Sequence, residues 1–97
     1  MGLLSDIHPG KDELEKITRL AALLTPPEQI ALRIGYNEEI FSTCLTIPGH
    51  DIRNAYIAGL TETEEKLRSA AIDAATAGSP AAMEQCMTFL KNAKHKL

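Results

Sequence analysis

The sequence predicts an all-α protein: a head of three short helices followed by a hairpin of two longer ones. Three observations carry this. No run of β-branched residues alternates with polar ones, so nothing reads as a strand. Apolar residues recur instead every three or four positions. Proline and glycine punctuate that pattern at Pro9-Gly10, Thr25-Pro26-Pro27, Gly35, Pro48-Gly49 and Gly78-Ser79-Pro80. Residues 1–97 read as a single helical domain, with 11–48 as the head and 50–97 as the hairpin.

The first helix starts near Lys11. It places Leu14, Ile17, Ala21 and Leu24 on one face, widened by Leu20 and Leu23. Upstream, Leu3, Leu4 and Ile7 suit a short turn. Thr25 is placed to cap a second helix, with Pro26 at its first position and Glu28 completing a capping box. That helix buries Ile30, Ala31 and Ile34 and ends at Gly35, which tolerates positive φ. Asn37 caps a third helix over 38–46, whose apolar face is Ile40, Phe41, Cys44 and Leu45.

A fourth helix runs from His50 or Asp51 towards Gly78, about 40 Å at the usual rise. Its apolar face is Ile52, Ala55, Tyr56, Leu60, Leu67, Ala70, Ala71 and Ala74. Gly59 inside it costs about 1 kcal/mol against Ala on propensity alone. Thr61-Glu-Thr-Glu64 is also a formal capping box, which would start a new helix there. The stripe keeps its phase across Gly59, so one continuous helix, with room for a bend, is expected. Ser79 caps the last helix and Pro80 opens it. Met83, Cys86, Met87 and Leu90, with Phe89 alongside, are expected to be buried against the alanines of the fourth helix.

The chain has 97 residues, which suits one modest core. Lys plus Arg is 10 and Asp plus Glu is 13, a net charge of −3, so a general basic coat for nucleic acid is excluded. The charge is segregated. Lys91, Lys94 and Lys96 give residues 91–97 a charge of +3, while residues 1–90 carry −6. Aromatic residues at 4%, with no Trp, exclude a stacking platform for single strands. Cys44 and Cys86 read as reduced core residues rather than a disulfide scaffold. No apolar run reaches the ~20 residues of a membrane span. The first residues lack a basic signal-peptide region, and Ser5 misses the myristoylation spacing after Gly2. A reducing bacterial cytoplasm is the expected compartment.

Two short helices around Gly35-Tyr36-Asn37, after a longer one, have the spacing of a helix-turn-helix. The third helix then occupies the recognition position. Its outward residues Ser42, Thr43 and Thr46, with Asn37 at its start, are candidate DNA contacts; ordinary solvated helix positions are the alternative. Arg33 and Arg53 are candidates for phosphate, as are Lys91, Lys94 and Lys96 in the tail. Lys11, Lys16 and Arg19 could join them, or pair with acids at helical spacing as Lys16–Asp12 and Arg19–Glu15. The tail cations equally complement a helix C-terminus. Glu38 and Glu39 complement the dipole at the start of their helix; read as base contacts, they would accept from cytosine amino groups.

The order of these pieces resembles the phage helix-turn-helix proteins, in particular small terminase subunits and their homeodomain-like relatives. The resemblance covers residues 12–97. It is carried by the Pro-Glu-Gln-Ile-Ala…Ile-Gly-Tyr-Asn-Glu-Glu-Ile-Phe unit at Pro27–Phe41 and by His50-Asp-Ile-Arg-Asn-Ala-Tyr-Ile-Ala-Gly59. Ala74-Ala-Thr-Ala-Gly-Ser-Pro-Ala-Ala82 and Thr88-Phe-Leu-Lys-Asn92 complete it. It implies a non-catalytic protein that binds duplex viral DNA, assembles as a homo-oligomeric ring and hands the DNA to a large terminase subunit. The chain departs from the family pattern in three places. Its recognition helix has two Glu and no Lys or Arg, the loop at Thr46-Ile-Pro-Gly49 is longer, and Cys44 stands where an aromatic is usual. A helix-turn-helix scaffold used as a protein-interaction module, or as a small transcriptional regulator, is the alternative.

His8, His50 and His95 are scattered away from the cysteines, so no metal site is expected. No phosphate loop, nucleophile elbow or carboxylate pair marks an enzyme, and no cofactor is expected.

Overall fold

The computed structural model describes residues 8–95, so the expected turn at Leu3, Leu4 and Ile7 lies outside the described residues. The described chain is all-helical, without a strand. Its helices are α1 (Lys11–Ala22), α2 (Pro27–Ile34), α3 (Glu38–Leu45), α4 (Asp51–Thr76) and α5 (Pro80–His95). It divides into two compact units between Thr63 and Glu64, inside α4.

The first unit is built on one core. Ile17, Leu20 and Ala21 of α1, Ile30 and Ala31 of α2, Phe41 and Cys44 of α3 and Ile52 of α4 are buried together. Leu14, Ile34, Tyr36, Ile40, Leu45, Ala55 and Tyr56 pack around them. Burying each large apolar side chain is worth about 1.5–3 kcal/mol, so this cluster is the main source of stability in the unit.

The seam between α1 and the first half of α4 is made of small residues. Thr18 Oγ1 donates to the Ala55 carbonyl at 3.0 Å. Thr63 Oγ1 donates to the carbonyl of Ala22, satisfying one of the open carbonyls at the end of α1. Between these two contacts Gly59 lies buried against α1. A Cβ there would stand 2.7 Å from Ala21 Cβ and 2.9 Å from the Ala22 nitrogen, besides meeting the Thr18 carbonyl. Ala55, Gly59 and Thr63 are one helical stripe, which is why the first half of α4 belongs to the first unit.

Helix ends differ from expectation in two places. The capping box at Thr25 does not form: Pro26 is the N-cap of α2 and Pro27 its first residue, with no side-chain cap bond. Pro27 already has the fixed φ of a first helical residue and no N–H to satisfy. α1 also stops before its expected stripe is complete. Leu24 turns left-handed at φ 61, leaving Leu23 and Leu24 exposed instead of in the core.

The second unit holds the rest of α4 together with α5. Arg68 lies over the Phe89 ring at 4.6 Å and pairs with Glu64 at 3.8 Å. Ala82, Cys86 and Phe89 are half-buried. The expected burial of Met83, Met87 and Leu90 is not found; all three are exposed, as are Leu67, Ala70 and Ala74 of α4. No described residue of α5 is fully buried. The physical reason is the turn of the helix. The half-buried residues 82, 86 and 89 form one stripe, and 83, 87 and 90 stand beside it rather than on it.

Candidate nucleic-acid interface

The candidate contacts in the first unit gather around α3. Gly35 takes φ 81 and lets the chain reverse after α2. Asn37 Oδ1 then accepts the Ile40 N–H at 3.1 Å, the capping bond expected from the sequence. With Phe41 and Cys44 turned into the core, Glu38, Glu39, Ser42 and Thr46 face outward and Thr43 is half-buried. Arg33 is exposed in the last turn of α2, just before this turn.

The hydroxyls of this face are partly committed. Thr43 Oγ1 donates to the Glu39 carbonyl at 2.9 Å, and Thr46 Oγ1 donates to the Thr43 carbonyl at 2.7 Å. Their protons go to their own helix, so what they offer outward is lone pairs. Those oxygens, with the two carboxylates, suit base amino groups or a partner's donors better than phosphate.

Arg53 is half-buried, and its Nη1 donates to the Leu45 carbonyl at 2.5 Å. It brings a positive charge to the C-terminal end of α3, where the helix dipole favours one. The candidate phosphate contact thus anchors α3 as well.

Lys91 and Lys94 are exposed on α5 in the second unit, and Lys96 lies outside the described residues. Lys11 and Arg19 line a shallow groove on α1 with Glu15 and Glu62, so cations and acids alternate there. Among the described residues neither Lys16–Asp12 nor Arg19–Glu15 forms an ion pair; Arg68–Glu64 has that spacing.

Two features behind this face were not visible in the sequence. Glu13 Oε1 accepts both the Gly10 N–H and the Tyr36 hydroxyl, each at 3.2 Å, tying the start of α1 to the turn before α3. Burial first, and the Glu13 carboxylate second, push the Tyr36 hydroxyl above its usual pKa. Burial likewise pushes the Cys44 thiol up, consistent with a core residue rather than a reactive one. Cys86, expected in the core, is only half-buried. The second feature is His50, which is buried. Its Nδ1 accepts the Ile52 N–H at 3.1 Å at the start of α4, its Nε2 is buried without a partner, and its ring stacks on His8 at 6.0 Å. A histidine just before a helix is a weak signal, because Ser, Thr, Asp and Asn are the usual caps.

Among the described residues no three His, Cys, Asp or Glu side chains come together as metal ligands. No helix among them is long and apolar enough to cross a membrane. The chain matches no family model, no curated protein and no solved structure.

Proposed function

We propose that the chain is a non-catalytic, duplex-DNA-binding protein of the small-terminase kind, which recognises viral DNA for packaging as a homo-oligomer. The observation that carries the reading is α2 and α3. They are two eight-residue helices joined through a left-handed Gly35 and an Asn37 cap, packed with α1 on one core. In a helix-turn-helix, α2 is the supporting helix and α3 lies in the major groove. Ser42, Thr43 and Thr46 then face base edges, and Arg33 faces the backbone. A large terminase subunit would be the partner that receives the DNA.

The test is an anisotropy titration of the full chain with duplex DNA at about 50 mM salt, where phosphate contacts are strongest. Binding is expected, and Arg33→Ala should weaken it on all sequences and lower the salt slope by about one. Absence of binding at that salt overturns the DNA reading.

A second reading is favoured by the charge on α3. Glu38, Glu39 and the spent hydroxyl protons make a face that accepts hydrogen bonds and repels phosphate. On that reading the same scaffold is a protein-interaction module for a basic partner surface, or a regulator that touches DNA elsewhere.

A further inference from the structure

The second unit leaves an apolar stripe open. On α5 the residues 82, 86 and 89 are half-buried, while Met83, Met87 and Leu90 are 51%, 64% and 48% exposed. Spaced at three and four, these three continue into Lys94, whose aliphatic stem can extend the stripe. Beside it stand Glu84 and Lys91, seven residues apart, so they share one flank of the helix two turns from each other. One edge of the apolar stripe therefore has a negative end and a positive end.

That pattern is self-complementary for one arrangement. When two identical helices pack antiparallel about a two-fold axis, Met87 of each meets Leu90 of the other, and each Met83 meets the stem of the other Lys94. Between those layers, each Glu84 then falls beside the other copy's Lys91, twice by symmetry. A parallel pairing at the same register would instead set Glu84 and Lys91 against the partner's opposite flank, where Ser79, Cys86 and Ala93 carry no charge, so it would lose both ion pairs.

We infer that a second copy of this chain covers this face, through an antiparallel α5–α5 contact with Glu84 and Lys91 fixing its register. The inference rests on the proposed function only in taking a second copy as the partner; an isologous contact closes at two copies, so it pairs chains rather than building a ring, and it needs no DNA. A contact of a few side chains on 16-residue helices is small, so the dimer is expected to be weak, with Kd on the order of 10 μM.

The test is sedimentation equilibrium of the full chain without DNA, over about 1 μM to 1 mM, a range that brackets the expected Kd. The expected result is a reversible rise from 10.6 kDa to twice that mass. Glu84→Lys alone and Lys91→Glu alone should each raise Kd about tenfold, because each replaces two attractions with two repulsions. The double exchange should restore the wild-type Kd. Both positions are exposed, and helicity by circular dichroism checks that the variants fold. Met87→Lys should give a monomer throughout. A wild-type monomer at every concentration, or single exchanges that change nothing, overturns the inference, as does a double exchange that fails to rescue. Because no DNA is present, a failed contact and a failed DNA titration are read separately.

Discussion

Gly59 shows how a single residue can invert an expectation drawn from propensity. In an exposed helix Gly→Ala gains about 1 kcal/mol. Here the missing side chain is what lets α1 and α4 approach, with Thr18, Ala21 and Ala22 filling the space a Cβ needs. Two of those neighbours offer backbone atoms, which cannot rotate away as a side-chain tip can. Gly59→Ala is therefore expected to destabilise by about 1–3 kcal/mol, the usual cost of overpacking. Urea denaturation measures it, and Ala58→Gly at the exposed neighbouring position serves as the control for propensity alone. A stabilised Gly59→Ala variant would mean that the seam is loose. The sequence offered no sign of this role. A buried glycine and a tolerated one look alike until the partner helix is known, and the partner Thr18 lies 37 residues before its bond to Ala55.

At the scale of elements, α1 and α2 end in the same motif with different residues. At the end of α2, Tyr36 N–H donates to the Ala31 carbonyl at 2.9 Å and Gly35 N–H to Leu32 at 3.4 Å. At the end of α1, Thr25 N–H donates to Leu20 at 3.1 Å and Leu24 N–H to Ala21 at 2.8 Å. Both are Schellman ends, which need a left-handed residue. Gly35 takes φ 81 freely, whereas Leu24 holds φ 61 against its own Cβ, at a cost of about 1–2 kcal/mol. Leu24→Gly is expected to raise stability by about 0.5–1 kcal/mol after the entropy cost of glycine in the unfolded chain. Thermal unfolding would register it as a higher Tm, while Leu23→Gly, one residue earlier at φ −84, should lower it. This asymmetry also explains which boundaries were legible. Gly35, Asn37 and Pro80 announce their helix ends through chemistry that few other residues offer. Leu24 announces nothing, so α1 was expected to run on and to keep Leu23 and Leu24 in its stripe. The outward residues of α3 were legible for the opposite reason: Phe41 and Cys44 fix which face turns inward, and Ser42 and Thr46 follow. That Thr43 and Thr46 donate to their own helix was not, since a hydroxyl's choice between backbone and solvent leaves no periodicity.

For the whole molecule, burial and charge are both unevenly distributed. Among the described residues, the eight buried hydrophobic ones all lie in the first unit, and the second has none fully buried. The expectation of one buried stripe on α5 failed because period alone cannot distinguish the stripe that meets α4 from the one beside it. Both are apolar, and the second is what a docking face looks like in sequence. The imbalance has a measurable consequence in amide exchange. Protection in a helix reflects the free energy of the opening that exposes it, and openings are cheapest where little apolar surface is covered. Amides around Ile17–Ala21 and Phe41–Cys44 should therefore exchange only through global unfolding. Those of α5 in an isolated chain should exchange through local opening, by a factor of roughly a hundred faster if the gap is near 3 kcal/mol. If a second copy covers Met83, Met87 and Leu90, this difference must depend on protein concentration. Protection of α5 should rise about tenfold when the concentration passes from well below Kd to some tenfold above it, while the core amides move little. Hydrogen–deuterium exchange at two concentrations separates the cases. Equal and concentration-independent protection in α5 and in the core would show that α5 is held by contacts within its own chain.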